Sequence, residues 1–511
     1  MEEEAVRMRW LSGRPRRVLN LRRPSGLSQM NSYHAQWSVM DDQVMVALPS
    51  TANASSPSTV YMADLKGCLN GDGDTVEFSR TAELPFSATR SRLLSNRKGF
   101  VTAEFRQSQG ELILRTHEWS GSVDREKALP AEAVDGEIAV HGSSVALCAR
   151  IGVQKPSTNC RGTSTHVIIW DMDTGDLNRV EIPQDERAPQ CHRGSIQFAT
   201  PSHLALGGHV DPCYDKPYAV LRSIPIAPSE QQNPGRYFHH HENFDYGNDH
   251  DAIAVPGSCA RNAVIVHHHH HQNRFTVADV GLLTGEIPSV PEPTPRYFTD
   301  PDYHKDLFHV FSDKTSARTL NGAIFDRLPA LAGNRLLVRQ HLDEYGHDQD
   351  SYHGFKAPHS SQGTFQVLYL YDFDQGRCKA LRQLSPPERR ALEERLKELN
   401  PDARVTVASR MFYASVEDED DMEKDPSPEW EAHVRELWEV DQARQRGEAT
   451  FPTLEFDDAP KGRDDDTSTR MLFTRSMVCL PRVREGEALA LTTSAVVELP
   501  SPEADGYVHC F

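Results

Sequence analysis

The sequence predicts an all-β chain, a six- or seven-bladed β-propeller with a charged helical insertion near the C-terminal end. Three observations predict it. First, one pattern recurs four times: an apolar strand, an aspartate, a hydrophobic residue and a glycine-containing turn. It appears in VYMADLKG ending at Gly67, VIIWDMDTG at Gly175, FTVADVGLLTG at Gly285 and VLYLYDFDQG at Gly376. Second, the aspartates of these units, Asp64, Asp171, Asp279 and Asp372, stand 107, 108 and 93 residues apart, with further strands at 112–121 and 218–226 roughly halfway between the first three. That spacing sets a period of about 50 residues, which fits one four-stranded blade. Third, the strands are short, rich in β-branched residues and bounded by Gly, Pro, Ser, Asp or Asn. A small twisted sheet cannot bury both faces alone, and stacking blades around an axis buries them. The aspartate is expected to accept backbone N–H groups in the turn after it, and the glycine to supply positive φ there. Two separate sandwich or barrel domains would show no such self-similarity.

Taken in order, the first blade reads QWSVM, QVMVALP, TVYMADL and TVEFSRTAEL. The second reads SRLLS, GFVTAEFR, LILRTHEW and VDREKAL, and the third EIAVHG, SVALCARI, HVIIWDM and LNRVEIP. A fourth runs from SIQFAT to YFHHH, a fifth from AIAVPG through FTVADV, and a sixth from NGAIFDRL through LYLYDF to CKALRQL. RMLFTRSMVCLP and ALALTTSAVVELP supply the last. The expected division is a basic segment over 1–33, blades over 34–384, a helical and acidic insertion over 385–468 and closing strands over 469–511. The Arg-rich start, RPRRVLNLRRP, reads as a frayed terminus or a nuclear-import signal, with VLNL as a candidate for the strand that closes the ring.

Two helices break the rhythm. Residues 385–401 open with Ser385 as N-cap, Pro386 at the first helical position and Glu388 completing a capping box, and close at Asn400–Pro401. Leu392, Leu396 and Leu399 form a narrow apolar stripe. Residues 427–447 repeat the device, and Trp430, Val434, Leu437 and Trp438 fall on one face. That face either packs on the side of the propeller or docks a partner protein through two aromatic anchors. Acidic runs at 416–425 and 462–468 flank this helix and read as solvated loops, or as a docking surface for a basic partner.

Composition excludes several roles. The net charge of −19 argues against nucleic acid as the main ligand, because phosphate binding relies on clustered Lys and Arg. No apolar run approaches the ~20 residues that span a bilayer, and residues 1–24 lack the apolar core of a signal peptide. Nine scattered cysteines without a CxxC pair fit free thiols in a reducing, intracellular compartment, cytoplasmic or nuclear.

Catalytic signatures are missing: GxSxG, HExxH, a P-loop and GxGxxG do not occur. HLDEYGHDQD (341–350) lacks the register of a calcium loop and reads as a polar loop. The histidines stand out, with nine of 24 between His239 and His271. In a strand, His267, His269 and His271 share one face, and two imidazoles at i and i+2 can ligate zinc or copper, with His241 as a candidate further ligand. The simpler expectation is a wet hairpin and no cofactor.

VIIWDMDTGDL, with its Trp170–Asp171 pair and the turn Asp173-Thr174-Gly175, resembles the strand-and-turn signature of WD-repeat-like propellers. The alternation of short strands with long polar loops over residues 34–380 looks like the propeller regions of fungal F-box proteins. The Gly-His half of the WD-repeat signature is missing from most blades, and no F-box helix motif stands in residues 1–33. The resemblance implies a non-enzymatic, protein-binding scaffold, in its finer form a ubiquitin-ligase substrate receptor. The alternative is a metal-binding or hydrolytic propeller with a His-rich channel mouth. Oligomeric state is left open.

Overall fold

The computed structural model describes residues 2–29, 35–49, 57–66, 73–96, 98–154, 161–182, 196–210, 218–226, 236–239, 253–254, 264–269, 274–286, 290–291, 308–310, 317–321, 331–342, 365–401, 407–410, 454–457, 472–478, 480 and 488–511. Its strands form a propeller arrangement of six consecutive sheets and a closing sheet, within the expected count. The first sheet holds Gln36–Met40, Gln43–Pro49, Ser58–Asp64 and Ser79–Leu84; the second Arg90–Leu93, Gly99–Arg106, Glu111–Glu118 and Val123–Pro130. The third holds Ala133–His141, Ser144–Gln154, Arg161–Asp171 and Leu177–Ile182. The fourth runs Ile196–Thr200, His203–Val210, Tyr218–Pro225 and Arg236–His239, extended by Phe308–Val310 and Val290–Pro291. The fifth holds Ile253–Ala254, Val264–His269, Arg274–Asp279 and Ala317–Asn321. The sixth holds Leu331–Ala332, Arg335–Leu342, Phe365–Asp372 and Thr474–Met477, extended by Leu454–Asp457 and Val407–Arg410.

The repeat works as its chemistry predicts. Each aspartate ends the third strand of its sheet, and its carboxylate accepts the backbone N–H two residues on: Lys66 to Asp64 (2.9 Å), Asp173 to Asp171 (2.8 Å), Gly281 to Asp279 (2.8 Å) and Asp374 to Asp372 (2.9 Å). The hydrophobic residue after it is buried, as Leu65, Met172, Val280 and Phe373. In three sheets that residue also donates its N–H to a carbonyl in the turn between the first two strands: Leu65 to Asp42, Met172 to Ser143 and Phe373 to Asn334, at 2.7–2.8 Å. One short motif therefore caps its own turn, fills the core and ties two hairpins together. Gly175 and Gly285 take positive φ (77° and 82°) as expected. Gly376 instead lies inside a helix.

Apolar faces meet between consecutive sheets. Met45 and Ala47 of the first share a cluster with Phe100 of the second, Val101 and Leu114 of the second with Leu147 and Trp170 of the third, and Cys148 and Val167 of the third with Phe198 and Leu204 of the fourth. Alternating strand residues feed the two faces, which is why the strands read as nearly continuous apolar runs.

The closing sheet joins both ends of the chain. Leu489–Leu491, Ala495–Glu498 and Gly506–Cys510 are completed by Arg17–Leu21, which pairs antiparallel with Gly506–Cys510, and Thr75–Val76 adds in parallel outside it. VLNL thus supplies the closing strand. The basic start is not frayed: Glu2–Ser12 forms α1, and Met8, Trp10 and Leu11 are buried. Arg17 bonds the Gly73 carbonyl, Arg22 lies 3.5 Å from Glu77, and Arg23 bonds the Pro502 carbonyl. TVEFSRTAEL splits, its first two residues joining the closing sheet. Of NGAIFDRL, Asn321 ends the last strand of the fifth sheet, and the rest lies outside the described residues. RMLFTRSMVCLP supplies Thr474–Met477 to the sixth sheet.

Helices stand where the rhythm breaks. Val280–Thr284 is α2, capped by Asp279. CKALRQL is helical rather than a strand: Gln375–Arg382 forms α3, because the Asp374 carboxylate caps the N–H of Arg377 (2.9 Å). Pro386–Leu399 forms α4, with Glu388 accepting the Ser385 N–H at 2.8 Å as the capping box predicts. Leu396 is buried against Met8, Leu11, Val407 and Leu454, with Leu392 and Leu399 packed alongside. No helix among the described residues is long and apolar enough to cross a membrane.

Candidate functional site

The sequence-predicted metal ligands are only partly placed. His267 and His269 lie on Val264–His269 and share one face of the fifth sheet, paired with Thr276 and Arg274 respectively. His271 and His241 lie outside the described residues. So do Trp430, Val434, Leu437 and Trp438, and both acidic runs. Among the residues whose side chains are described, no group of three or more His, Cys, Asp or Glu is arranged to hold a metal ion.

Two polar constellations emerge that the sequence reading missed. The first crosses the second sheet. Arg115, 6 % exposed, bonds Glu126 through Nε (2.5 Å) and Glu104 through a terminal guanidinium nitrogen (2.6 Å), and its guanidinium carbon lies 4.4 Å from the Phe86 ring centre. Arg106 adds a second bond to Glu104 at 2.9 Å. Burial raises the proton affinity of Glu104, but the two arginines outweigh it and hold the carboxyl below its ordinary range. Two residues along the same strand, His117 stacks on Phe100 (centroids 4.9 Å apart) and places Nε2 2.9 Å from the Thr102 hydroxyl. Its Nδ1 lies 3.3 Å from the Gly121 carbonyl, so the ring donates there and accepts from Thr102. Burial, with help from Arg115, pushes His117 down to about 4 against the Gly121 bond, keeping it neutral. Hairpin lengths fix register, so the partners of Arg115 were within reach of the sequence.

The second lies at the seam between the sixth and closing sheets. Asp372 is 7 % exposed; its carboxylate lies 3.4 Å from Arg377 and 3.8 Å from Arg335. Arg335 donates to the Thr493 carbonyl (3.2 Å) and lies 5.3 Å from the Trp10 ring centre, while the Trp10 indole N–H donates to the same carbonyl (3.2 Å). Trp10 stacks on Phe511 with centroids 3.9 Å apart. Trp10, Arg335, Thr493 and Phe511 come from distant parts of the chain and leave no local signal of this joint. Both constellations bind strand to strand and sheet to sheet, and the Thr102–His117 pair is closed off from solvent, at 0 % and 2 % exposed.

No family model matches the chain, and no curated protein does. Among solved structures, the chain is similar to the Kuenenia stuttgartiensis hydrazine synthase at 10% identity and TM-score 0.32, over 50% of this chain and 67% of that one. It is similar to a variant of the Synechocystis apocarotenoid oxygenase at 11% identity and TM-score 0.28, over 50% and 60%. It is also similar to the β-propeller domain of the trilobed protease from Pyrococcus furiosus, described as having an open velcro topology, at 11% identity and TM-score 0.29, over 49% and 70%. Likenesses of this size carry no argument about activity. The chain is a propeller on its own sheet order, repeat and interleaved apolar faces.

Proposed function

We propose that the chain is a non-enzymatic interaction scaffold, a propeller that presents the segment between Val407–Arg410 and Leu454–Asp457 to other proteins. The observation that supports this reading is how that segment is held. Its two flanking strands pair in parallel and extend the outer edge of the sixth sheet, and α4 beside them packs on α1. The connection from residue 411 to 453 is therefore anchored at both ends to the blade. It carries the acidic run 416–425 and the Trp430, Val434, Leu437 and Trp438 pattern. Aromatic anchors beside a strongly charged run suit a basic protein partner, with charge setting the rate of encounter and Trp the affinity. The finer role, substrate receptor in a ubiquitin ligase, has only the resemblance of the strand pattern behind it.

The test is affinity capture from native extract with the full chain and with Trp430→Ala/Trp438→Ala. A specific partner whose recovery falls at least about tenfold in the double variant, at unchanged melting temperature, supports the reading. Recovery of no partner, or of partners indifferent to both tryptophans and to replacement of 411–453 by a Gly/Ser linker, overturns it.

A further inference from the structure

We infer that α4 and the strand after it, Val407–Arg410, form a flap on the sixth sheet that opens as a unit while the ring stays closed, and that α1 is its latch. The consequence rests on the role proposed above, because the connection from residue 411 to 453 leaves from the end of this flap. With the flap latched, that connection is fixed at both ends. With the flap open, it is tethered to the blade only through Leu454–Asp457.

α1 has two working sides. Val6 and Trp10, four residues apart, share one side of the helix, and Met8 and Leu11, three apart, share the other. Trp10 is buried in the core between the sixth and closing sheets, with Val6 packed against that core. Met8 and Leu11 are buried with Leu396 of α4, Val407 and Leu454. Every described side chain of this second cluster belongs to α1, α4 or the two outermost strands of the sixth sheet. α1 thus supplies two of its five buried members. Polar groups seal the same joint. The buried Asn400 donates from its side-chain amide to the Ser12 carbonyl at 3.2 Å. Glu393 accepts the backbone N–H of Val407 at 2.8 Å, which ties the strand to α4 and makes the two one unit.

The flap is lightly held, and its neighbours stand without it. Of its 14 residues, α4 fully buries only Leu396. Upstream, α3 is fixed by its own groups: Cys378 and Leu381 are buried, and Arg377 lies 3.4 Å from Asp372. Gln383, Leu384 and Ser385 join α3 to α4, and the outer two are exposed, as a hinge requires. Downstream, Leu454–Asp457 has its own pairing with Thr474–Met477. Ring closure belongs to Arg17–Leu21, paired with Gly506–Cys510 and set off from α1 by a turn in which Gly13 takes positive φ (66°). An 11-residue helix is marginal alone, so α1 persists beside an open flap because its Trp10 side stays on the ring. Opening breaks one short parallel pairing and one small apolar cluster. Units of this kind open at a lower free energy than the whole molecule.

Hydrogen exchange of the full chain, followed by mass spectrometry at urea concentrations below the unfolding transition, reads the flap without any partner. Its outcome is therefore separate from that of capture from extract. In the parent chain, amides of 386–399 and 407–410 should share one opening constant, at least about a hundredfold above that of the second and third sheets. Met8→Ala/Leu11→Ala, which leaves Trp10 in place, raises this constant at least about tenfold. The opening constants of Arg17–Leu21, Gly506–Cys510 and the second and third sheets stay within about twofold of the parent's. Asn400→Ala removes only the bond to the Ser12 carbonyl and raises the flap constant about fivefold, which keeps the test decisive if the double variant folds poorly. Three results would each overturn the proposal: a parent flap that opens only with the ring, α4 and 407–410 opening separately, or variants that speed exchange everywhere or nowhere.

Discussion

At the scale of single residues, Asp64, Asp171, Asp279 and Asp372 show what a sequence can disclose. Their role is local: the acceptor and its N–H donor are two residues apart, so the spacing carries the mechanism. Glycine was less reliable. Gly175 and Gly285 occupy turns that demand positive φ, whereas Gly376 is drawn into α3 by the Asp374 cap. His117 was invisible as a special residue, because its neutrality comes from burial beside residues on other strands. It supports a pH prediction. Above pH about 6.5 the ring is neutral in folded and unfolded chains alike, and stability is unaffected. As pH falls towards about 4, the unfolded chain takes up a proton that the folded chain refuses. Stability is therefore lost across that window, by about 3 kcal/mol at its acid end. Urea unfolding of the parent chain and of His117→Phe between pH 7 and 4 measures this. The variant's free energy of unfolding should fall less with acid by about that amount, and parallel pH profiles would contradict the assignment.

At the scale of elements, Val123–Pro130 shows how an exposed strand is kept from pairing wrongly. It forms the outer edge of the second sheet among the described residues, and Val123 is 50 % exposed. Edge strands invite pairing with another chain. Here four charged residues in a row, Asp124, Arg125, Glu126 and Lys127, and a register shift between Val123 and Arg125 blunt the edge, because charged side chains and bulges both resist the addition of another strand. Lys127 also donates to the Gly175 carbonyl at 3.0 Å, and Arg125 lies 3.8 Å from Asp173. Replacing Asp124, Arg125 and Lys127 by Thr, Val and Val, while keeping Glu126 for Arg115, removes most of this protection. Sedimentation velocity should show concentration-dependent self-association that exceeds the parent's; identical behaviour would mean that the edge is protected some other way. The blades themselves were legible in order, most clearly the second and third, because their hairpins are short and their alternation regular. Strands added from a distance, such as Thr75–Val76 and Val407–Arg410, were not, since two- to four-residue additions carry no periodicity of their own.

At the scale of the whole molecule, the ring is held shut by a strap that the sequence half disclosed. The strand VLNL was visible as an apolar run. The preceding α1 was read for its charge, because its partners, Leu396 and Phe511, lie hundreds of residues away. The strap makes one connected body of three parts. Arg17–Leu21 completes the closing sheet, Trp10 fills the core shared by the sixth and closing sheets, and Met8 and Leu11 hold α4. Trp10 is 1 % exposed, stacks on Phe511 and shares the Thr493 carbonyl with Arg335. Removing a buried indole of this kind costs about 3–5 kcal/mol. If the strap is integral to the ring, Trp10→Ala lowers the urea midpoint of a single transition and leaves its slope unchanged, because the same surface is exposed on unfolding. If the strap is an appendage, the midpoint of the main transition stays where it was and only a small early step appears. Limited proteolysis gives an independent reading. Cleavage within residues 2–24 should accelerate in Trp10→Ala together with cleavage near 488–511, since each end of the chain shields the other across the closing sheet.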